Sequence, residues 1–320
     1  MKRMLEFLIS WMLALAALCT PIAARAVPQG AAPEPIQVAP GVYMEQGAAG
    51  EVDSRNGGRI GNSGFIVGSS GVVVIDTGTS YHHGVALLAH IRRISSKPIL
   101  LALVTHTRQE FLFGARAFQE QGIPVHMHSQ AAGLMRSRCE HCLQTLNQLL
   151  GADTMKGTQL FKPDREFESS HTISEAGRPI RILYFGHSAG PGDVAVFDEQ
   201  TGVLFAGGLL DYQRIPDVQD SDLAGWSQAL AALAGLPVQK VVPGHGPVGP
   251  ASAISDAQRY LVQLQARVLA LLHAGTSLLD VGMAATLPDF ASWEQYSTIH
   301  RRNASVVYLR LEREQMFSQR

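Results

Sequence analysis

The sequence predicts a layered α/β protein followed by a C-terminal helical extension. Short apolar runs bounded by Gly, Pro and Ser alternate with stretches of helical spacing from residue 41 to 250, and the remainder is almost wholly helical in pattern. Glycine is abundant, 31 of 320 residues, which suits a loop-rich protein better than a helical bundle. Hydrophobic residues make up 46% and charged residues 17%, enough to bury a large core and unlike a disordered chain. A formal net charge of -1 lacks the basic excess that nucleic-acid binding uses, so no nucleic-acid partner is expected. No internal repeat is visible, which argues against solenoids and propellers.

The elements follow in order. Residues 1–26 read as a secretory signal peptide: Lys2 and Arg3, an apolar run from Phe7 to Cys19, then Ala24-Arg25-Ala26 as a cleavage signal. The run is too short to read first as a membrane span, so a periplasmic or secreted location with no span after cleavage is expected. Residues 27–40, rich in Pro, Ala and Gly, read as an extended leader. Strands are expected at Gly41–Met44, at Phe65–Gly68 and Val72–Asp76 as a hairpin across Ser69-Ser70-Gly71, and at Ile99–Val104. More strands are expected at Val125–Met127, Ile180–Phe185, Val194–Phe197, Val203–Phe205 and Gln239–Val242. Helical spacing marks Val85–Ile94, Gly114–Gln121, Ala131–Leu150 and Leu223–Leu233. The expected organisation is a main domain over 41–250 and a helical extension over 251–320, broken near Gly275 and Pro288.

Three of these strands end in chemistry-bearing residues. Val73-Val74-Ile75-Asp76-Thr77-Gly78 ends in D-T-G, Leu103-Val104-Thr105-His106 in T-H, and Val241-Val242-Pro243-Gly244-His245-Gly246 in P-G-H-G. In this order and spacing the set resembles the metallo-beta-lactamase fold superfamily, over residues 36–250. Gly61–Gly68, the Arg138-Cys139-x-x-Cys142 segment and the tail from Ile299 to Glu312 make the chain similar to the exported zinc metallohydrolases of quinoprotein relay systems. The resemblance implies a four-layer αβ/βα sandwich: two sheets face to face, helices outside, and a metal site in loops at one sheet edge.

It also implies where zinc ligands should stand. Such hydrolases hold two zinc ions that share a hydroxide, using imidazoles and carboxylates at tight spacing. Where the family carries T-H-x-H-x-D-H, this chain reads Thr105-His106-Thr107-Arg108-Gln109-Glu110-Phe111. The first histidine survives as His106, Arg108 replaces the second, Glu110 replaces the aspartate, and Phe111 replaces the last histidine. The next histidine position holds Ala189, with His187 two residues earlier, and the bridging aspartate position holds Gly208. His245 remains. Arginine is always charged and cannot ligate zinc.

Two readings follow. In the first, the two-zinc site is largely lost, no cofactor is bound, and the old cleft holds a small molecule or a periplasmic protein partner, within a quinoprotein dehydrogenase context taken from the resemblance alone. In the second, one zinc ion survives on His106, Glu110 and His245, helped by His187, in a residual mononuclear hydrolase. Arg108 and Glu110 read either as an internal ion pair, with Asp76 as a further partner because a buried acid without a cation is costly, or as two solvated loop side chains. By resemblance, Asp76 orients the metal loop without touching metal. Cys139 and Cys142 read as a zinc knuckle, a redox pair or a disulfide, and the oxidising compartment favours the disulfide. His82 and His83 read as solvated, and His300-Arg301-Arg302-Asn303 as the start of a helix with ordinary charges.

Overall fold

The computed structural model describes residues 33–318. The expected signal peptide and the start of the leader lie outside these residues. Thirteen strands form two sheets among the described residues. The first has seven strands in chain order: β1 Ile36–Ala39, β2 Val42–Glu45, β3 Ser63–Val67, β4 Val72–Ile75, β5 Ile99–Val104, β6 Val125–His128 and β7 Arg165–Phe167. It is antiparallel from β1 to β4 and parallel from β4 to β7. The second runs β13-β12-β11-β10-β9-β8, from Gly249–Pro250 through Lys240–Pro243, Val203–Gly207, Val194–Asp198 and Ile180–Tyr184 to His171–Ile173.

Period-two alternation along the strands builds the layers. In β4, Val73 and Ile75 enter the core between the sheets, while Val72 and Val74 face outward to the helices. Val194 and Val196 of β10 and Phe205 of β11 meet them from the opposite sheet. Outside the first sheet, Leu87, Phe118 and Met135 pack from the helices Tyr81–Ile94, Ala115–Gln119 and Ser129–Met155. Outside the second, Trp226, Leu230, Tyr260 and Leu264 pack from Leu223–Ala234 and Ala253–His273. The result is an αβ/βα sandwich. Each fully buried Val, Ile, Leu or Phe contributes about 1.5–3 kcal/mol of transfer free energy, so the alternation alone fixes which face turns inward.

The C-terminal region is helical, as expected: Ala253–His273, Leu278–Ala284 and Arg301–Ser318. It joins the second sheet's outer core through Val281, Phe290, Ile299 and Val307. No helix among the described residues is long and apolar enough to cross a membrane.

Four expectations need correction. The leader's last residues are structural, since Ile36–Ala39 pairs antiparallel with β2 across the Pro40-Gly41 turn, where Gly41 takes φ 74°. Only His82 of the His82-His83 pair is exposed. His83 is buried beside Glu45, whose Oε1 lies 2.5 Å from His90 Nδ1. The tail segment carries more than helix-start charges: His300 and Asn303 are buried, and Asn303 donates from Nδ2 to Pro216 O at 2.7 Å. Finally, Cys139 and Cys142 are free thiols rather than a disulfide. Both stand on Ser129–Met155, three residues apart on one helix face. That spacing holds the Cβ atoms about 5–6 Å apart, beyond the 3.5–4.5 Å a disulfide bridges.

Candidate functional site

The site forms where strands from both sheets end together. Thr105 O, after β5, accepts from Val194 N at the start of β10 at 3.0 Å, which ties the two stacked sheets together at the ends of these strands. Asn62 adds a second tie, donating from Nδ2 to Pro243 O at 2.8 Å and to Gly246 O at 2.9 Å. These bonds bring the T-H and P-G-H-G ends to one cavity of about 560 Å³, while Asp76 of the D-T-G end binds Thr105 of the T-H loop.

Asp76 lines up the T-H loop. Its Oδ1 accepts from Thr105 N at 2.8 Å, and its Oδ2 accepts from Thr105 Oγ1 at 2.8 Å. It sits in the left-handed region at φ 59°, which an aspartate tolerates better than most residues. Burial pushes the Asp76 carboxyl up to about 7 against the pull of these bonds. With its hydroxyl hydrogen given to Asp76, Thr105 Oγ1 is left to accept from His106 Nδ1, 2.8 Å away. His106 Nε2 then faces the cavity with its lone pair, buried and without a partner. Burial, helped by the Arg108 charge, pushes this imidazole down to about 3, so it is neutral.

His245 is the opposite case. Its Nδ1 lies 2.8 Å from Asp211 Oδ1 and its Nε2 lies 3.0 Å from Glu110 Oε1. All three side chains are buried, His245 with 3% of its surface exposed and Glu110 with 8%. Burial works against the imidazolium, but Asp211 and then Glu110 outweigh it and raise the ring to about 9. Burial likewise works to raise the Glu110 carboxyl, and the His245 hydrogen bond and charge, then Arg108, hold it at about 2. Both nitrogens of His245 therefore carry hydrogens donated to carboxylates.

Phe111 contacts both histidine rings. Its ring centroid lies 4.3 Å from that of His106 and 5.2 Å from that of His245, and it is 1% exposed. It packs on Gly61, where a Cβ would come within 2.6 Å of Phe111 Cζ. The chain at 61 thus needs glycine because a phenyl ring fills the space over it.

The sequence-predicted residues are brought together only in part. His106, Arg108, Glu110 and His245 line the cavity. His187 does not: its Nε2 lies 2.7 Å from Asp220 O. The expected Arg108 ion pair is absent, since no carboxylate among the described residues lies within 4.0 Å of its guanidinium, and Nη2 donates to Asp217 O at 3.1 Å instead. Glu110 takes His245 as its partner, and Asp76 takes Thr105.

Asp193 was not expected at the site. It is 5% exposed, lines the cavity and makes no hydrogen bond through its carboxylate. Burial pushes it up to about 7, with Arg108 opposing. A Cβ on Gly208 would lie 2.6 Å from Asp193 Oδ2 and 2.8 Å from His106 Cδ2, so Asp193 fills the volume that a side chain at 208 would enter. The one sequence signal for it is the Gly192-Asp193 end of the segment that lacks its histidine.

As hydrogen-bonded here, the residues around the cavity leave few donors free for a metal. A catalytic zinc needs three protein ligands. His106 Nε2 is one free imidazole nitrogen, and Asp193 is a second donor. His245 Nε2 is engaged by Glu110 Oε1 at 3.0 Å, and a guanidinium shares the cavity. No group of three or more His, Cys, Asp or Glu side chains among the described residues is arranged to hold a metal ion.

The fold and the strand-end motifs define a class. A family model for the metallo-beta-lactamase superfamily matches residues 56–245, more than half of the chain, and the protein belongs to that superfamily of metallo-hydrolase-type folds. It is 24% identical over 229 residues to a linear primary-alkylsulfatase from Pseudomonas sp. (strain ATCC 19151), across 61% of this chain. The match spans 43% of that relative's length. Among solved structures it resembles a metallo-beta-lactamase from Pontibacter korlensis at 23% identity and a TM-score of 0.59, covering 72% of this chain and 98% of that one. It also resembles FIM-1 from Pseudomonas aeruginosa in its mono-zinc form at 19% identity and a TM-score of 0.58, covering 74% and 97%. At these identities the likeness is one of fold.

Proposed function

We propose that this chain is an exported metallo-beta-lactamase-fold protein that binds a small ligand in the old catalytic cleft and has given up the two-zinc centre. The observation that carries this reading is the pairing of His245 with Asp211 and Glu110 at once, 2.8 and 3.0 Å away. An imidazolium and a guanidinium supply the positive charge that bound metal would supply elsewhere in the superfamily. A cavity of about 560 Å³ with both polar and apolar walls is of the size that takes small molecules. Export rests on the apolar run Phe7–Cys19 and the Ala24-Arg25-Ala26 signal, and association with a quinoprotein dehydrogenase system rests on the Gly61–Gly68, Cys139/Cys142 and Ile299–Glu312 resemblance.

Elemental analysis of protein purified without chelator, before and after dialysis against zinc, tests the reading. Less than a tenth of an equivalent of zinc per chain supports it. One or two equivalents that disappear in a His106→Ala/His245→Ala double variant would restore the one-zinc hydrolase or a two-zinc enzyme.

A further inference from the structure

The charges around the cavity are matched almost completely. Arg302 meets Asp217 at 2.7 Å, Asp220 meets Arg138 at 2.5 Å, and His245 meets Glu110 at 3.0 Å. Arg214 pairs with Glu294 and reaches Glu51 at 4.0 Å. Two ionisable groups on the wall remain without an ionic partner, Arg108 and Asp193. Neither has an opposite charge within 4.0 Å among the described residues. Arg108 spends one donor on Asp217 O and keeps the rest of its guanidinium fork for the cleft. Asp193 is more than nine-tenths buried, accepts no hydrogen bond and faces the same space. Leaving a buried carboxylate without a donor costs free energy that a bound donor would recover. His106 Nε2 adds an unpartnered acceptor beside it.

One cationic fork and two acceptors call for a ligand that is itself both anionic and hydrogen-bond-donating. The rest of the wall limits its third group. Val52, Ile60, Leu134, Leu149 and Ile299 line the cavity, so an apolar substituent has a place to lie.

We propose that the cavity binds a small zwitterion of the amino-acid class with an apolar side chain, its carboxylate on Arg108 and its ammonium on Asp193 and His106 Nε2. Guanidinium takes a carboxylate through two parallel hydrogen bonds, and a buried carboxylate takes an ammonium through a charge-assisted one. This inference rests on the reading that the cleft holds a ligand rather than zinc.

The test is calorimetric titration of the full protein with L-phenylalanine, L-leucine, 3-phenylpropionate and 2-phenylethylamine. The last two carry only the acid or only the amine of phenylalanine. The expected result is that at least one amino acid binds at least tenfold more tightly than either single-charge compound. Arg108→Gln should then weaken the amino acid and 3-phenylpropionate while sparing 2-phenylethylamine, and Asp193→Asn should do the reverse for the two single-charge compounds. An acid or amine that binds as well as both amino acids overturns the proposal, even without the variants. So does the absence of binding by both amino acids into the millimolar range. A parallel titration with zinc chloride separates the failures. Stoichiometric zinc binding defeats the ligand-cleft reading itself, whereas absence of both zinc and amino-acid binding leaves that reading standing and removes only this inference.

Discussion

His245 donates from Nε2 to Glu110 Oε1 across 3.0 Å in a buried position, and this contact joins the P-G-H-G loop of one sheet to the T-H loop of the other. The contact is a buried ion pair between the two loops.

That pair makes stability depend on pH. The His245 pKa is raised from 6.5 to about 9, so its contribution is full below 6.5 and is lost as pH rises through about 9. The Glu110 pKa is lowered from 4.5 to about 2, so its contribution is full above 4.5 and is lost as pH falls toward about 2. The stabilisation by the cluster is therefore greatest between 4.5 and 6.5. The shift of His245 corresponds to on the order of 3 kcal/mol, shared among the three partners rather than added for each. Urea unfolding of wild type and His245→Gln should differ most near pH 6 and converge by roughly that amount at about pH 10. A difference that stays flat over this range would remove the charge from His245.

Phe111 packs against both His106 and His245 as a buried core residue. Phe111→Ala should cost about 3–5 kcal/mol in chemical denaturation, the usual price of an unfilled aromatic site. A cost under about 1 kcal/mol would show that the ring is not a structural wedge.

Asp76 should tolerate amide but not methyl. Asparagine retains an acceptor for Thr105 N and tolerates φ 59°, whereas alanine loses both advantages. Asp76→Ala should destabilise by about 2–3 kcal/mol and Asp76→Asn by less than half of that, read from unfolding midpoints. Equal losses would place the role of Asp76 elsewhere than in these hydrogen bonds.

The cysteine pair should alkylate. Cys142 is part-exposed, and the neighbouring Cys139 thiol lowers it to about 7, while Cys142, with burial, raises Cys139. Iodoacetamide at neutral pH, without reductant, should label Cys142 in the native protein and Cys139 only after unfolding. A peptide across 139–142 that stays two mass units light and unlabelled in denaturant would restore the disulfide.

What the sequence makes legible is what strand-end chemistry and periodicity encode. Val73-Val74-Ile75-Asp76 and Val241-Val242-Pro243 declare buried strands by their apolar runs, and the polar residue after each run marks the sheet edge where loops meet. The replacement of imidazoles by Arg108 and Phe111 is visible for the same reason, because the positions are fixed by spacing from a strand end. Partner choice is not local. Glu110 reaches a histidine 135 residues away rather than the arginine two residues before it, since successive side chains diverge where the Arg108 loop enters the helix Gln109–Leu112. Asp193 gains its place only through the absent side chain at Gly208, which no single segment reveals. Ile36–Ala39 lacks a strong strand signal because an edge strand needs only one covered face.

The most direct test of the central claim is anomalous diffraction at the zinc edge from crystals grown with excess zinc. No peak should lie within bonding distance of His245 Nε2, with Glu110 still hydrogen-bonded to it and Phe111 still packed on both histidines. A zinc peak bonded to both His106 Nε2 and His245 Nε2, with Phe111 displaced, would contradict it.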